Sequence, residues 1–239
     1  MTVSVCMATY NGHKYIAKQI DSILPQLEST DELLVSDDGS TDDTVDLVKS
    51  YHDSRVHLIS GPRQGCVMNF EHAIKAAGGD IIFLSDQDDI WRHDKIDSVR
   101  RIFAEHPEVK LVCHNYSIID AEDKVVAKSV KKNIKFGYIY NLVKQNMFTG
   151  NCMAFRRDCL PFILPVPDNK YIYHDNWIGL RILAKHKSAV RFVDEDFSLY
   201  RRHGENVSAF KSTLPVIGRI YRRVLLVWYS FLSDIKPLR

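Results

Sequence analysis

The chain has 239 residues, 45% hydrophobic and 26% charged, with a formal net charge of +2. That length suits one α/β domain, and the composition excludes a disordered chain. The near balance of charge gives no global case for nucleic-acid binding, and no zinc-finger spacing or aromatic-rich recognition sequence adds one.

The first apolar run, "VSVCMATY", starts almost at once and stops at Asn11-Gly12, which predicts a buried strand rather than a signal peptide. Tyr15, Ile16, Ile20, Ile23 and Leu24 then follow at helical spacing up to Pro25. "ELLVSDDGSTDDT" repeats the unit: a strand, an Asp37-Asp38-Gly39 turn, and a helix capped by Ser40 or Thr41. "RVHLIS" is a third strand, followed by a helix near 67–77, and "DIIFLS" is the fourth. Strands alternating with helices of this length predict a parallel sheet covered on both faces.

From there the pattern changes. A helix at about 94–105 and the strand "VKLVCHN" precede a hairpin around Ala121-Glu122-Asp123. A helical stretch near 138–146 leads to "FTGNCMAFRRD", a strand entering a short helix. "HDNWIGLRILAKH" has helical spacing, and "AVRFVD" and "FSLYRR" read as two strands. Five scattered cysteines, Cys6, Cys66, Cys113, Cys152 and Cys159, form no C-x-x-C pair and read as buried reduced thiols. No apolar run is long enough to span a bilayer, so the expectation is a cytoplasmic protein, soluble or peripheral on the inner face of the plasma membrane. Nothing in the chain indicates an oligomeric state.

In open α/β sheets, ligands bind beyond the carboxyl ends of the strands. Three polar clusters fall there: Thr9-Tyr10-Asn11, Asp37-Asp38, and Asp86-Gln87-Asp88-Asp89. No G-x-G-x-x-G follows the first strand and no G-x-x-x-x-G-K-[ST] occurs. The strand ends therefore offer carboxylates rather than a glycine cradle. Carboxylates this close repel one another unless a cation or donors compensate. A diphosphate could join them only through a divalent ion, and Mg²⁺ or Mn²⁺ fits, since both use few carboxylates together with water and phosphate oxygens.

"ATYNG", "SDDGSTDDT" and "LSDQDDIW", in this order after strands one, two and four, resemble the family-2 glycosyltransferases of the GT-A fold. Each motif is weak alone; together they are specific. "DQDDIW" with "YRRHGENVS" looks most like the bacterial rhamnosyltransferase-like branch. The resemblance implies a Rossmann-like, mostly parallel sheet flanked by helices. A nucleotide-sugar-binding half would span 1–106 and an acceptor-side half 107–212, with a basic amphipathic helix over 213–239. It implies inverting, metal-dependent transfer of a sugar from a nucleoside-diphosphate donor to a carbohydrate or lipid-linked acceptor in bacterial surface polysaccharide synthesis. Rhamnose is one donor sugar; galactose, glucose and N-acetylglucosamine stay open.

Carried over by position, Thr9, Tyr10 and Asn11 would line the nucleotide pocket, and Asp38 or Asp37 would accept a hydrogen bond from the base. Asp86 would contact the ribose or a metal-bound water, and Asp88 would ligate the cation. Asp175 occupies the position of the catalytic base, with His174 where the family has Glu. Arg202 and His203 would close over the donor phosphates, His203 reaching the metal. Gly150, Asn151 and Trp177 would lie on the acceptor side. Bland readings stand beside these: Asp-Gly is an ordinary turn dipeptide, Asp175 could simply cap a helix, and a tryptophan is as readily a core residue.

The tail "LPVIGRIYRRVLLVWYSFLSDIKPLR" sets apolar residues at helical spacing beside Arg219, Arg222 and Arg223. Residues 214–236 could lie in the headgroups of an anionic leaflet, or pack on the catalytic domain or a second subunit. Two other functions stay open: nucleotidyl transfer onto sugar phosphates, and a non-catalytic nucleotide-sugar-binding protein.

Overall fold

Runs rich in Val, Ile and Leu, bounded by turn residues, form the strands of one sheet. In this computed structural model the described residues are 1–128, 130, 131, 134, 136–143, 146–204 and 216–235, without the side chains of 143, 216 and 231–235. The parts of the sequence reading that fall on 205–215 and 236–239 lie outside them.

The strands are β1 (Val3–Thr9), β2 (Glu32–Asp37), β3 (Val56–Ser60), β4 (Ile81–Asp86), β5 (Ile90–Trp91), β6 (Leu111–Ile119), β7 (Val125–Ala127), β8 (Met153–Arg156) and β9 (Val190–Arg201). The α-helices are α1 (Ile16–Ile23), α2 (Thr44–Lys49), α3 (Cys66–Ala76), α4 (Lys95–Glu105), α5 (Tyr138–Val143), α6 (Leu160–Ile163), α7 (His174–Lys185) and α8 (Val216–Ile235). The strand order is β3-β2-β1-β4-β8-β6-β9-β5, with β7 paired to β6. β3, β2, β1 and β4 are parallel, as the strand–helix alternation requires. Beyond them β8 runs antiparallel to both β4 and β6, and the sheet becomes mixed.

Alternate residues of the central strands enter opposite cores, as the period of two dictates. Val3, Val5, Met7, Ile81 and Phe83 meet α1 and α4 through Ile16, Ile20, Ile96, Val99 and Phe103. Cys6, Ile82 and Leu84 face the other side, against Phe70 and Ile74 of α3 and Trp177 and Ile178 of α7. At about 25 cal/mol per Å² of apolar area removed from water, these two faces dominate the favourable side of folding.

Two strands and one cysteine differ from the sequence reading. The two strands expected over "AVRFVD" and "FSLYRR" are the single strand β9, whose pairing with β6 steps from His114↔Val193 to Asn115↔Asp196. The bulge at 194–195 carries acidic residues, and it is this polar interruption that looks like a break in the sequence. Ile90–Trp91, too short to register as a strand, pairs antiparallel with β9. Four cysteines are buried as expected, whereas Cys66 is exposed. α8 rests on the α3–α7 core through buried Leu226, with Arg181 Nη1 donating to the Ser230 carbonyl at 3.0 Å. No described helix is long and apolar enough to cross a membrane.

Candidate active site

Strand register brings the motifs together. Thr9 pairs with Asp37 and Ala8 with Asp86, so the carboxyl ends of β1, β2 and β4 lie side by side. Gln87 stitches two of them: its Oε1 accepts from Thr9 Oγ1 at 2.5 Å and Tyr10 N at 2.9 Å, and its Nε2 donates to the Tyr10 carbonyl at 3.1 Å. Asn11, at φ 48, joins the first loop to the second, donating its N–H to Ser40 Oγ at 2.8 Å and accepting from Thr41 N at 2.8 Å. Tyr10 stands 55% exposed at the rim.

The paired aspartates after β2 divide their work. Asp37 is buried, and its carboxylate accepts from Gly39 N at 3.0 Å, from Ser40 N at 2.9 Å and from the Ser40 hydroxyl, closing its own turn. Asp38 accepts from Arg63 N and Gly65 N, each at 2.7 Å, which fastens the β3–α3 loop to the strand ends. Gly65, at φ +88, sits where side chains are strained, and the next residue, Cys66, opens α3. Surrounding protein atoms push the Cys66 thiol up first, then the negative charges of Asp86, Asp175, Asp88 and Asp38. One thiol thus lies in the field of four carboxylates from three separate segments, the turn at Asp38, the Asp86–Asp88 turn and the start of α7 at Asp175.

Within "DQDD" each carboxylate meets a different environment. Burial and then the charges of Asp88 and Asp175 raise Asp86 to about 7, against the pull of Lys95. Asp88 Oδ2 lies 2.7 Å from His203 Nε2. Asp89 is buried; Oδ1 accepts from Arg201 N at 2.7 Å, and Oδ2 has no hydrogen-bond partner among the described residues. Desolvation followed by its two acidic neighbours raises Asp89 well above the usual carboxylate range. Two buried cations stand beneath. Lys95 Nζ donates to the Asn151 carbonyl at 2.7 Å and Ser198 Oγ at 3.0 Å, and burial lowers its ammonium to about 7. Arg201 Nε donates to the Asp88 carbonyl at 2.7 Å, and its guanidinium pairs with Asp123.

The oxygen and nitrogen of Asp88 and His203 suit Mg²⁺ or Mn²⁺, and Asp86, raised first by burial and then by the charges of Asp88 and Asp175, stands beside them. No group of three metal-ligating side chains occurs among the described residues. Such ions complete their shell with water and substrate oxygens, so two protein ligands suffice.

Across the cleft, Asp175 lies in the first turn of α7. Burial raises it to about 6, opposed by the Asn176 N–H and then by Lys131, Arg222 and Asn146. His174, beside it, is buried against Phe70 with ring centroids 4.1 Å apart. Burial depresses its imidazole to about 3, so it is neutral at physiological pH. A Cβ on Gly150 would stand 3.0 Å from His174 Nε2 and 3.9 Å from Asp175 Cβ, so a glycine here lets the backbone approach the base position.

Two acceptor-side expectations are corrected. Trp177 is fully buried, with Nε1 donating to the Ile163 carbonyl at 2.7 Å, and its ring offers no face to a sugar. Asn151 is also fully buried; its Oδ1 accepts from Trp91 Nε1 at 2.7 Å, an internal contact. Helical spacing alone does not separate a core tryptophan from a stacking one. Arg202 lies over the Tyr200 ring at 5.9 Å. The sequence reading missed Gln87 as a stitch and Lys95 as a counter-charge. A lysine at the start of an amphipathic helix looks like a solvated residue until the fold buries it.

The family model for glycosyl transferase family 2 matches residues 4–162. An Escherichia coli relative, UDP-Glc:alpha-D-GlcNAc-diphosphoundecaprenol beta-1,3-glucosyltransferase WfgD, is 33% identical over 87% of this chain and 80% of its own length. An uncharacterized glycosyltransferase of Nostoc is 28% identical over 86% of this chain, which spans only 66% of that protein. Among solved structures, S. aureus TarS in complex with UDP-GlcNAc superposes with a TM-score of 0.76 at 18% identity, over 100% of this chain and 68% of the other. Mycobacterium tuberculosis glucosyl-3-phosphoglycerate synthase in complex with Mn²⁺, UDP and glucosyl-3-phosphoglycerate gives 0.62 at 20% identity, over 97% and 79%. These likenesses show a GT-A fold, and with the motif-bearing strand ends meeting in one cleft, the chain is a glycosyltransferase that belongs to glycosyl transferase family 2.

Proposed function

We propose that the protein transfers a hexose from a nucleoside-diphosphate donor to a saccharide or lipid-linked acceptor, with inversion at the anomeric carbon. The observation that carries this reading is that register sets the Asp37-Asp38 and Asp86-Gln87-Asp88 turns beside the end of β1, with Asp175 of α7 near enough that its charge and theirs act on the one Cys66 thiol. The relative WfgD is named for a UDP-glucose donor and a diphosphoundecaprenol-linked acceptor, which favours UDP-glucose beside the rhamnose donor of the motif resemblance. The same name favours a lipid-linked acceptor over a free saccharide; surface-glycan assembly and peripheral contact through the C-terminal helix belong to this reading as its cellular setting.

Asp88 and His203 would hold the Mg²⁺ or Mn²⁺, which supplies positive charge toward the leaving diphosphate. Thr9 and Asn11 fix the first-strand loop, and Asp38 fixes the loop opposite, so the nucleotide end of the cleft is shaped before a donor arrives. Asp175 accepts the proton of the attacking hydroxyl. A base raised to about 6 is ionised at neutral pH yet retains more basicity than an ordinary carboxylate. Arg201 and Lys95 brace "DQDD" from below.

Isothermal titration of UDP with Mn²⁺ tests the donor side. Asp88→Asn and His203→Ala should each weaken binding by about tenfold or more. Unchanged affinity in Asp88→Asn would overturn the metal assignment. A transfer screen over UDP-glucose, UDP-N-acetylglucosamine and dTDP-rhamnose identifies the sugar.

A further inference from the structure

Among the described residues, helix α8 is bound on one side only. At 3.6 residues per turn, Ile217, Ile220, Tyr221, Val224, Val227 and Trp228 share one face, and all are exposed, Ile217 at 80% and Trp228 at 56%. Leu226 and Ser230 occupy the opposite, buried face. On the same wheel Arg223 borders the stripe beside Val227, while Arg219, exposed in the first turn, falls on the Leu226–Ser230 side. α8 contains three arginines and one acidic residue, Asp234.

We propose that this face of α8 docks on an anionic bilayer surface, apolar residues in the acyl boundary and arginines among lipid phosphates, and so turns the Asp175 side of the cleft toward the membrane. The chemistry is that of an interfacial helix: an apolar stripe with an aromatic residue at headgroup depth and a cationic border. A second copy of the chain fits less well. Three arginines against the single Asp234 leave each copy of α8 net cationic, so two copies would repel where an anionic surface attracts.

The orientation follows from the inner face. Arg222 is half-buried there and lies in the field of Tyr173 and Asp175, and at the edge of the exposed stripe the Tyr221 ring meets Tyr171 edge-on with centroids 5.5 Å apart. The helix that would meet the lipid therefore also walls the base position. A lipid-linked acceptor would approach Asp175 along the surface on which α8 lies. This deepens, and rests on, the acceptor class proposed above.

The protein carries its own probe. Of its three tryptophans, Trp91 and Trp177 are buried at 3% and 0% exposure, and only Trp228 stands in solvent. Phosphatidylcholine vesicles containing phosphatidylglycerol should blue-shift tryptophan emission and co-sediment the protein, whereas phosphatidylcholine alone should not. Each cation near an anionic surface contributes about fivefold to partitioning, so Arg219→Glu with Arg223→Glu should lower it by more than about tenfold. Ile217→Ser with Val224→Ser should do the same with circular dichroism unchanged, since both side chains are exposed. Absence of any vesicle response would overturn the proposal. So would undiminished binding in the arginine variant, or a concentration-dependent dimer that buries Trp228. UDP binding measured without vesicles separates the two readings: if it persists while vesicle binding fails, the docking face is wrong and the donor site stands.

Discussion

Asp175→Asn should abolish transfer and at the same time stabilise the protein above pH 6. The wild-type carboxyl is raised from 3.8 to about 6, chiefly by burial. A shift of about 2 units at 1.36 kcal/mol each corresponds to about 3 kcal/mol against the ionised form. Asp175 is only partly buried, so solvent screening reduces this to about 1–2 kcal/mol. The sign follows from linkage. A group whose folded value lies above its unfolded value contributes stability that is complete below about 3.8 and is lost as pH rises through about 6. Asparagine is neutral throughout, and its Oδ1 still accepts the Asn176 N–H. Urea denaturation at pH 4 and pH 8 should therefore show a gain of about 1–2 kcal/mol at pH 8 that shrinks toward zero at pH 4. Loss of a general base should lower transfer by about 10²–10⁴, with UDP affinity retained. A variant less stable than wild type at pH 8, or one retaining most of its transfer rate, would refute the reasoning.

Gly150→Ala would place a methyl 3.0 Å from His174 Nε2, and kcat should fall more than donor KM rises, measured by steady-state kinetics with the donor varied. Arg222→Ala removes positive charge that opposes the raised value of Asp175. The acid limb of the pH–rate profile should move to higher pH, and a shift to lower pH would exclude Arg222 as a neighbour of the base. Cys66 is the one exposed cysteine, so Ellman's reagent should titrate a single thiol in the folded protein. Its reaction should be slow at neutral pH because the protein atoms around the sulfur and four nearby carboxylates disfavour the thiolate, and UDP with Mn²⁺ should protect it.

The charge pattern of "DQDD" poses a physical problem that the fold answers in several ways at once. Asp86 and Asp89 are pushed toward the protonated form, Lys95 and Arg201 lie beneath them, and Asp88 turns to His203. Removing a buried partner of such a group typically costs about 3–5 kcal/mol, so the charge balance around the site is also a structural constraint.

The sequence by itself determined the parallel half of the sheet and which segments carry the chemistry. Apolar runs ending in Asn11-Gly12, Asp37-Asp38-Gly39 and Asp86-Gln87-Asp88 announce strands whose carboxyl ends bear polar groups, and register then places them side by side. That information is local, held in periodicity and turn chemistry, and survives without partners. Tertiary structure decided what depends on distant contacts. It merged two apparent strands into β9 across a bulge, took Trp177 and Asn151 into the interior, and drew Lys95 under the acidic cluster. It also exposed Cys66 and one face of α8. Burial is set by what packs opposite a residue, and spacing along the chain records only which residues share a face.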